Sequence, residues 1–499
     1  MPQQQTVNYL VSGGVDATNA VAVGKSIAAD LATKPTLSTD SNGNVTGLMG
    51  QGYRVTPQSY GTRLRAAAAA AQQYVGYLTV APAWAASTGY FTGQVVTNGG
   101  SDYVCLGSGT SASSGGPTVT TGASQADGTT SWSYLGPHAS AVTNADIPVV
   151  TGTTTNPSAT LPASYQPVSF PSAYTVLGGV ASAYRGSFWQ ITTFNDGTGN
   201  VSRGGSIGFV TDSPIFAFFV PSNSIGIRVK IDGNYHSPSC YNNGGVDSWI
   251  KIDFSAYPKK KRKIIYECSK SVSYFGGVLI DATSSIEPLF FPNLIKAAWI
   301  SDSLDAGSLY GPWLGGNRMS QQVGAKLGWQ NVWGFSTGGT GYLNNATSYD
   351  TFVNRASEAA AINPDIFVIR GSTNDIGYPS ASITAACVSL INSIRALSAA
   401  PICVCGVWPL NNAATSTVEA AVQAAVASCG QPDVYFIPET GAVPMPYVTG
   451  SWNNSANTQS NTSTLLISSD GTHPTDYGIQ LVSSRLANDI YNVCISKQV

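Results

Sequence analysis

The segment IKAAWISDSL, residues 295–304, joins an apolar run to a polar turn and sets the class of the C-terminal domain. Further apolar runs follow it along the chain, namely NVWGFS, DIFVIR, PICVCGVW and DVYFIP. Helices are expected between and after these runs, at about 318–327, 349–361, 380–399, 417–429 and 475–494. Apolar strands that alternate with helices are typical of a parallel sheet covered on both faces, so residues 293–499 are predicted to form an α/β domain.

Four short polar motifs stand at the ends of these predicted strands or just before the last helix. They are Ser301–Leu304, the stretch STGGTGY with Gly338, Gly339 and Gly341, Gly371–Asp375, and Asp470–Pro474. Each is ordinary by itself, because a serine on such a turn is most often a helix N-cap and glycine-rich stretches are common loops. Ligands of open α/β sheets bind at the carboxyl ends of the strands, so the four together indicate a functional site.

The residue types in these motifs suit nucleophilic catalysis. Ser303 lies on a tight strand-to-helix turn, which would expose its hydroxyl beside backbone N–H groups. His473 is the only histidine of this domain and so its only candidate imidazole base. Asp470 could accept the Nδ1 proton of His473 and fix its tautomer. Gly339 would let the backbone approach a substrate, and the Asn374 amide could donate to an oxyanion. This chemistry requires no metal or cofactor.

At these residues the chain resembles the SGNH, or GDSL-like, esterases and lipases. The resemblance covers about residues 293–499 and implies a three-layer α/β/α, flavodoxin-like hydrolase domain. It also implies that Ser303 is the nucleophile and that Asp470 and His473 complete the catalytic triad.

The same resemblance assigns the oxyanion hole to the N–H groups of Ser303 and Gly339 and to the Asn374 side chain. Gly338 or Gly341 could take the place of Gly339. The chain departs from the family pattern at two positions. Ser301 stands where the family has the glycine of G-D-S, and Ser372 stands for the second glycine of G-G-x-N-D. Neither change removes a catalytic group, although both could narrow the site or alter a turn.

Residues 166–292 are predicted to form a β-sandwich of the jelly-roll type. Short segments such as PIFAFFVP and SWIKIDF alternate with turns such as NDGTGN, and none shows a helical period. Residues 138–165, rich in Thr, Ser and Pro, are expected to be a linker. A sandwich directly before such an α/β domain resembles the two-domain carbohydrate esterases that remove acetyl groups from polysaccharides.

Residues 78–137 are dense in aromatic residues for so small a unit. Their pattern resembles small chitin- or carbohydrate-binding modules, since exposed aromatic rings stack on sugars. The candidate sugar-binding residues are Trp84, Tyr90, Tyr103, Trp132 and Tyr134. The alternative is that these rings form the core of a mini-domain.

Composition limits the remaining function classes. Only 10% of the 499 residues are charged and the formal net charge is −2, so nothing favours nucleic acid or an anionic membrane. No run reaches the length of a membrane span, and the start lacks the features of a secretory signal peptide. Residues 1–77 are expected to be an extended attachment segment with a helix near Arg63–Gln73.

The leader and the aromatic module resemble bacteriophage tail fibres or tailspikes. The expected protein is therefore a virion-borne serine esterase, attached through its N-terminus, that removes O-acetyl groups from capsule or O-antigen polysaccharide at the host surface. A homotrimer is expected from the same resemblance. The alternatives are a lipase or peptidoglycan-directed esterase with the same triad, or a non-catalytic glycan-binding adhesin.

Overall fold

The computed structural model describes part of the chain. The described residues are 37–39, 45–48, 57–71, 76–143, 145–194, 205–222, 226–241, 245–268, 273–291, 294–306, 318–410, 413–440, 447–449 and 462–498. The chain divides into two units, Met1–Ser59 and Tyr60–Val499. In the first, strands β1 (Leu37–Thr39) and β2 (Val45–Leu48) pair antiparallel. Most of the predicted attachment segment 1–77 lies outside the described residues.

The alanine-rich stretch near residue 65 is helical, as its composition predicts. Helix α1 spans Pro57–Ala70, and Leu64 and Ala67 lie three residues apart on one face. Both side chains are buried in the core of the C-terminal domain. The end of the predicted attachment segment therefore packs as part of that domain.

Residues 89–137 form a small antiparallel unit. Its strands are β3 (Gly89–Tyr90), β4 (Val95–Asn98), β5 (Ser101–Gly107), β6 (Gly109–Thr110), β7 (Gln125–Asp127) and β8 (Thr130–Pro137). The main sheet has the order β4-β5-β8-β7, and β3 pairs with β6. Aromatic side chains form most of the larger of its two apolar clusters.

Two antiparallel sheets pack face to face in the next part of the chain. One has the order β10-β21-β15-β18-β9, and the other has the order β11-β14-β19-β16-β17 with β22 beside β14. A third, smaller sheet has the order β12-β13-β20. The strands are β9 (Val149–Thr153), β10 (Ala163–Tyr165), β11 (Thr175–Leu177), β12 (Val180–Tyr184), β13 (Phe188–Thr192), β14 (Ser206–Thr211), β15 (Ile215–Val220), β16 (Ile227–Ile231), β17 (Asn234–Tyr235), β18 (Ser248–Asp253), β19 (Arg262–Cys268), β20 (Ser273–Phe275), β21 (Val278–Ile280) and β22 (Ile286–Pro288).

The inward residues of the two larger sheets form one core. Phe209 on β14 and Phe218 on β15 meet with ring centroids 5.8 Å apart. The prediction that residues 138–165 form a linker is wrong, because this segment supplies strands β9 and β10. Strand β9 pairs with β18 along its whole length, so its threonines and valines form a sheet edge.

The C-terminal domain is built on a parallel sheet of five strands. These are β23 (Lys296–Ser301), β24 (Asn331–Ser336), β25 (Ile366–Arg370), β26 (Ile402–Cys405) and β27 (Val434–Ile437). The order β24-β23-β25-β26-β27 is the flavodoxin-like order 2-1-3-4-5. Strands β23 to β26 are almost wholly buried, which explains their continuous apolar sequences.

Helices cover both faces of this sheet and bury a separate apolar core on each side. The helices of this domain are α2 (Ser303–Ala306), α3 (Met319–Lys326), α4 (Ala356–Ala361), α5 (Ser380–Leu397), α6 (Ala413–Ser428), α7 (Ser463–Leu466) and α8 (Asp476–Val493). The sequence has no continuous apolar run of about 20 residues, but helix α5, with 18 residues, is long and apolar enough by length and composition to cross a membrane. Five of its side chains, including Ile383 and Ile391, are nevertheless buried in the core against the sheet.

Candidate active site

Three of the four polar motifs follow neighbouring strands at one edge of the parallel sheet. Ser303 begins α2 directly after β23, Gly338 and Gly339 follow β24, and Asn374 lies on a 3₁₀ turn after β25. His473 comes from the loop between α7 and α8. The strand order reverses beside β23, which is where ligands bind in open α/β sheets.

Ser303, His473 and Asp470 form a hydrogen-bonded series. The Nε2 atom of His473 lies 2.9 Å from the Ser303 Oγ, and its Nδ1 atom lies 2.5 Å from the Asp470 Oδ2. A carboxylate can only accept, so the proton of the neutral imidazole belongs on Nδ1. Nε2 is then an acceptor that faces the serine hydroxyl.

The Asp470 carboxylate is held by four donors. Its Oδ1 accepts the backbone N–H groups of Thr472 and His473 and the hydroxyl of Ser468. Burial by itself raises the pKa of Asp470. These hydrogen bonds and the one from the His473 ring lower the pKa by a larger amount, so the net pKa lies below its ordinary value. The carboxylate therefore stays ionised and orients the imidazole.

The Asn374 amide is oriented by the oxygen of a neighbouring loop. Its Nδ2 atom donates to the Thr340 carbonyl oxygen at 2.9 Å and approaches the Asp302 Oδ2 only at 3.4 Å. The longer contact is weak. The second amide hydrogen is therefore the one that an oxyanion could take.

The glycines after β24 do not have equivalent positions. A Cβ atom on Gly338 would meet the Ser303 Cβ at 3.5 Å, whereas one on Gly339 would meet Ala346 at 2.8 Å and one on Gly341 would overlap the Asp375 carboxylate. Within the described part of the chain, no acceptor binds the N–H of Gly338 or Gly339. Gly341 is thus a packing residue, and Gly338 and Gly339 remain the two candidate donors.

Both departures from the family pattern are accommodated by hydrogen bonds. The Ser301 hydroxyl donates to the Arg370 carbonyl oxygen at 2.7 Å, which links β23 to β25. The Ser372 hydroxyl accepts the Asn374 N–H and donates to the Thr340 carbonyl oxygen, both at 3.0 Å. Ser372 therefore supports the turn that carries Asn374.

Sequence reasoning missed a buried arginine that ties the strand ends together. Arg355 donates to the carbonyl oxygens of Ser301 and Phe335 at 2.8 and 3.2 Å, and to the Thr340 hydroxyl at 2.7 Å. No local pattern marks this role, because its partners are mainly backbone atoms from other elements.

Asp302, between the two motif serines, is also buried. Its Oδ1 accepts the Leu304 N–H at 2.9 Å. Burial raises the pKa of Asp302 to about 6, although the Leu304 N–H and the charge of Arg370 lower it in part. The Asp302 carboxyl, with its raised pKa, therefore lies 3.4 Å from the Asn374 amide nitrogen.

The structure corrects the expectation that the aromatic side chains of residues 78–137 form a sugar-binding surface. Tyr90, Tyr103, Trp132 and Tyr134 are at most 9% exposed and form the core of the small unit, so their faces cannot stack on sugar. Trp84 is half-buried, and its indole N–H donates to Asp127. The alternative reading, a mini-domain core, describes these rings better.

This small unit instead packs against the segment that precedes His473. The Gly122 N–H donates to the Thr464 carbonyl oxygen at 2.7 Å, and a Cβ on Gly122 would lie 1.8 Å from the Ile467 carbonyl oxygen. The rings of Tyr134 and Tyr477 meet edge to face with centroids 5.3 Å apart.

That contact reaches the candidate triad within a few residues. The Ser468 N–H, next to Ile467, donates to the His473 carbonyl oxygen at 2.8 Å. The Ser468 hydroxyl also binds the Asp470 carboxylate at 2.7 Å. The small unit therefore supports the loop that holds both residues.

The described residues contain no group of three or more His, Cys, Asp or Glu side chains that could hold a metal ion. At the Ser303 site, the groups that could donate hydrogen bonds to an oxyanion are the Asn374 amide and backbone N–H groups.

Residues 303–486 match the family model of the GDSL-like lipases and acylhydrolases. This match supports an SGNH-type enzyme that hydrolyses ester bonds. A comparison with curated proteins gives no match.

Solved structures with similarity to the chain include several carbohydrate esterases. A family two carbohydrate esterase from Cellvibrio japonicus has 13% identity and a TM-score of 0.49, covering 70% of this chain and 99% of its own. One from Clostridium thermocellum, in complex with cellohexaose, has 16% identity and a TM-score of 0.46, covering 64% and 98%. An acetyl xylan esterase from Butyrivibrio proteoclasticus has 13% identity and a TM-score of 0.41, covering 69% and 98%.

Proposed function

We propose that the protein is a serine esterase that removes O-acetyl groups from a polysaccharide. The observation that carries this proposal is the series Ser303–His473–Asp470, with contacts of 2.9 and 2.5 Å. Nucleophile, base and orienting carboxylate stand in the order that acyl transfer requires.

In the first half of the reaction, the Ser303 Oγ attacks the acetyl carbonyl carbon while His473 Nε2 takes the hydroxyl proton. The carbonyl oxygen becomes an oxyanion, which the N–H groups of Ser303 and of Gly338 or Gly339 and the Asn374 amide would stabilise. Collapse of this intermediate breaks the bond to the sugar oxygen, which receives the proton from His473.

In the second half, water attacks the acetyl-serine carbonyl and gives its proton to His473. Collapse returns that proton to the Ser303 Oγ and releases acetate. Asp470 accepts a hydrogen bond throughout and stabilises the imidazolium formed in each half-reaction.

The substrate class rests on the character of the chain. A low charge and many small polar residues suit a neutral, hydroxyl-rich substrate, and the sandwich next to the α/β domain supports a carbohydrate esterase. Capsule or O-antigen polysaccharide is the substrate we propose, with a phage tail fibre or tailspike as the setting and attachment to the virion through the N-terminal segment. Composition and sequence resemblance support this setting.

The deciding experiment measures acetate release from purified O-acetylated bacterial polysaccharides and from an aryl acetate. Wild type should release acetate, and Ser303→Ala should not. Release by Ser303→Ala at the wild-type rate would exclude the mechanism.

A chain-length series of aryl esters separates the alternatives. Preference for long acyl chains would identify a lipase, and acetate release from peptidoglycan alone would identify a peptidoglycan-directed esterase. Glycan binding without any esterase activity would identify an adhesin.

A further inference from the structure

The β-sandwich has a cavity of about 300 Å³ on the outer face of its five-stranded sheet. One wall is formed by outward residues of β15, β18 and β21, and the other by the loop around Asn156 and Ser158. Phe216 and Phe218 of β15 point into the sandwich core, so Phe219, which directly follows Phe218, points to the opposite face of the sheet. The cavity is within the size range of small-ligand sites.

Three half-buried aromatic rings line this cavity. The centroids of Phe188 and Phe219 are 4.9 Å apart, and those of Phe219 and Trp249 are also 4.9 Å apart. Gly276 makes room for this arrangement, because a Cβ there would lie 2.1 Å from the Phe219 ring. The rings are therefore packed in place while part of their surface stays accessible.

Polar groups without protein partners lie beside these rings. In the described part of the chain no acceptor binds the indole N–H of Trp249. This N–H is not one of the buried polar atoms without a partner, so it is accessible to solvent. Gln166 is an exposed lining residue with no side-chain hydrogen bond to the described residues. Both side chains could exchange their hydrogen bonds with water for bonds to a ligand.

None of the residues that line the cavity carries an ionisable side chain. A charged ligand would lose water here without gaining a counter-charge. Aromatic faces beside uncharged amide and hydroxyl groups suit a sugar ring, whose C–H face is apolar and whose rim is polar.

We propose that this cavity is a second sugar-binding pocket, separate from the Ser303 site, which holds one neutral sugar unit of a polysaccharide. It provides accessible aromatic surface of the kind that the buried rings of Tyr90, Tyr103, Trp132 and Tyr134 do not offer. The pocket shares no lining residue with the Ser303 site, so its occupation does not depend on catalysis.

The test is affinity electrophoresis of the full chain in gels that contain dextran, xylan, glucomannan or mannan, with polygalacturonate as the acidic comparison. Ser303→Ala is the parent protein, which prevents ester turnover during the run. At least one neutral polysaccharide should retard this parent. Trp249→Ala should weaken that binding about tenfold, because ring stacking is lost.

Trp249→Ala could weaken binding by disturbing the fold, so a second variant, Gln166→Ala, changes an exposed side chain of the pocket. It should weaken binding a few-fold and leave the midpoint of thermal unfolding unchanged. Phe290→Ala is the matched control, since Phe290 is an aromatic residue that is 75% exposed and lies outside the pocket. Its retardation should equal that of the parent.

Three results of the electrophoresis would overturn the proposal. They are no retardation by any neutral polysaccharide, equal retardation of all variants, or a Trp249-dependent retardation by polygalacturonate alone. Self-association that Trp249→Ala abolishes would also overturn it, because the face would then bind a second copy of the chain. Failure here would leave hydrolysis of a soluble aryl acetate unaffected, so the proposed esterase function is tested separately.

Discussion

His473 Nε2 lies 2.9 Å from the Ser303 Oγ although 170 positions separate the two residues in the chain. The contact exists because β23 ends at the same edge of the sheet that the loop before α8 crosses. The small unit of residues 89–137 packs on the segment before His473, so the site depends on a part of the chain far from its motifs.

Asn374→Ala should lower kcat by about 10²–10³ with a smaller effect on KM, because one oxyanion donor is lost. Initial rates on an aryl acetate measure this. Asn354→Ala is the control, since Asn354 is exposed and its side chain binds only Asp350 in the described structure. A wild-type kcat in Asn374→Ala would remove this residue from the proposed oxyanion hole.

Asp302→Asn should stabilise the protein at pH 8 by about 1–3 kcal/mol. The pKa of this buried carboxyl is raised to about 6 by folding, from about 3.9 in an unfolded chain. Above pH 6 the wild type buries a charge, which costs stability, and below pH 4 the group is protonated in both states and that cost disappears.

Denaturant unfolding at pH 8 and pH 4 therefore measures a gain for Asp302→Asn that shrinks as the pH falls. Asp247→Asn, at an exposed carboxylate, is the control. An equal effect of Asp302→Asn at both pH values would contradict the expected ionisation.

Gly122→Ala should lower kcat about tenfold or more while KM changes little. The added Cβ would displace the segment at Ile467, which holds His473 through Ser468, and small misplacements of a catalytic group are costly. Gly89→Ala is the control in the same unit, because nothing lies within 4 Å of its added Cβ. A folded Gly122→Ala protein with wild-type kcat would show that this packing does not position the histidine.

Ser372→Ala should lower the free energy of unfolding by about 1–2 kcal/mol, because the Asn374 N–H loses its side-chain cap. It should also lower kcat, since the Thr340 carbonyl oxygen that orients Asn374 loses a donor. Ser484→Ala, on an exposed helix position, should change neither quantity. Thermal and denaturant unfolding with parallel rate measurements separate the two effects.

Light scattering should give a solution mass of three times the 51.8 kDa chain mass, if the proposed tail-fibre setting is correct. The prediction follows from the resemblance to such fibres. A monomeric mass across a range of concentrations would reject it.

The sequence by itself predicts the class of the C-terminal domain and the candidate triad. Continuous apolar strands occur where both sheet faces are buried, and this pattern is local enough to be recognised in the sequences of β23 to β26. The lone histidine of that domain leaves only one candidate base, and its spacing from Asp470 is a local property as well.

Contacts between distant elements could not be predicted in the same way. Composition identifies Tyr103 and Trp132 as aromatic, but whether a ring is a core residue or a sugar platform depends on which neighbours cover it. The same holds for Arg355, whose partners are carbonyl oxygens from several strand ends, and for the two strands within the expected linker.

Sequence thus determined the strand and helix pattern of the C-terminal domain and the candidate reactive side chains, since periodicity and residue chemistry are properties of short segments. Tertiary structure alone decided which glycines face Ser303, what supports His473, and where accessible aromatic surface remains. Those features depend on burial and on distances between residues that are remote in sequence, which no short segment records.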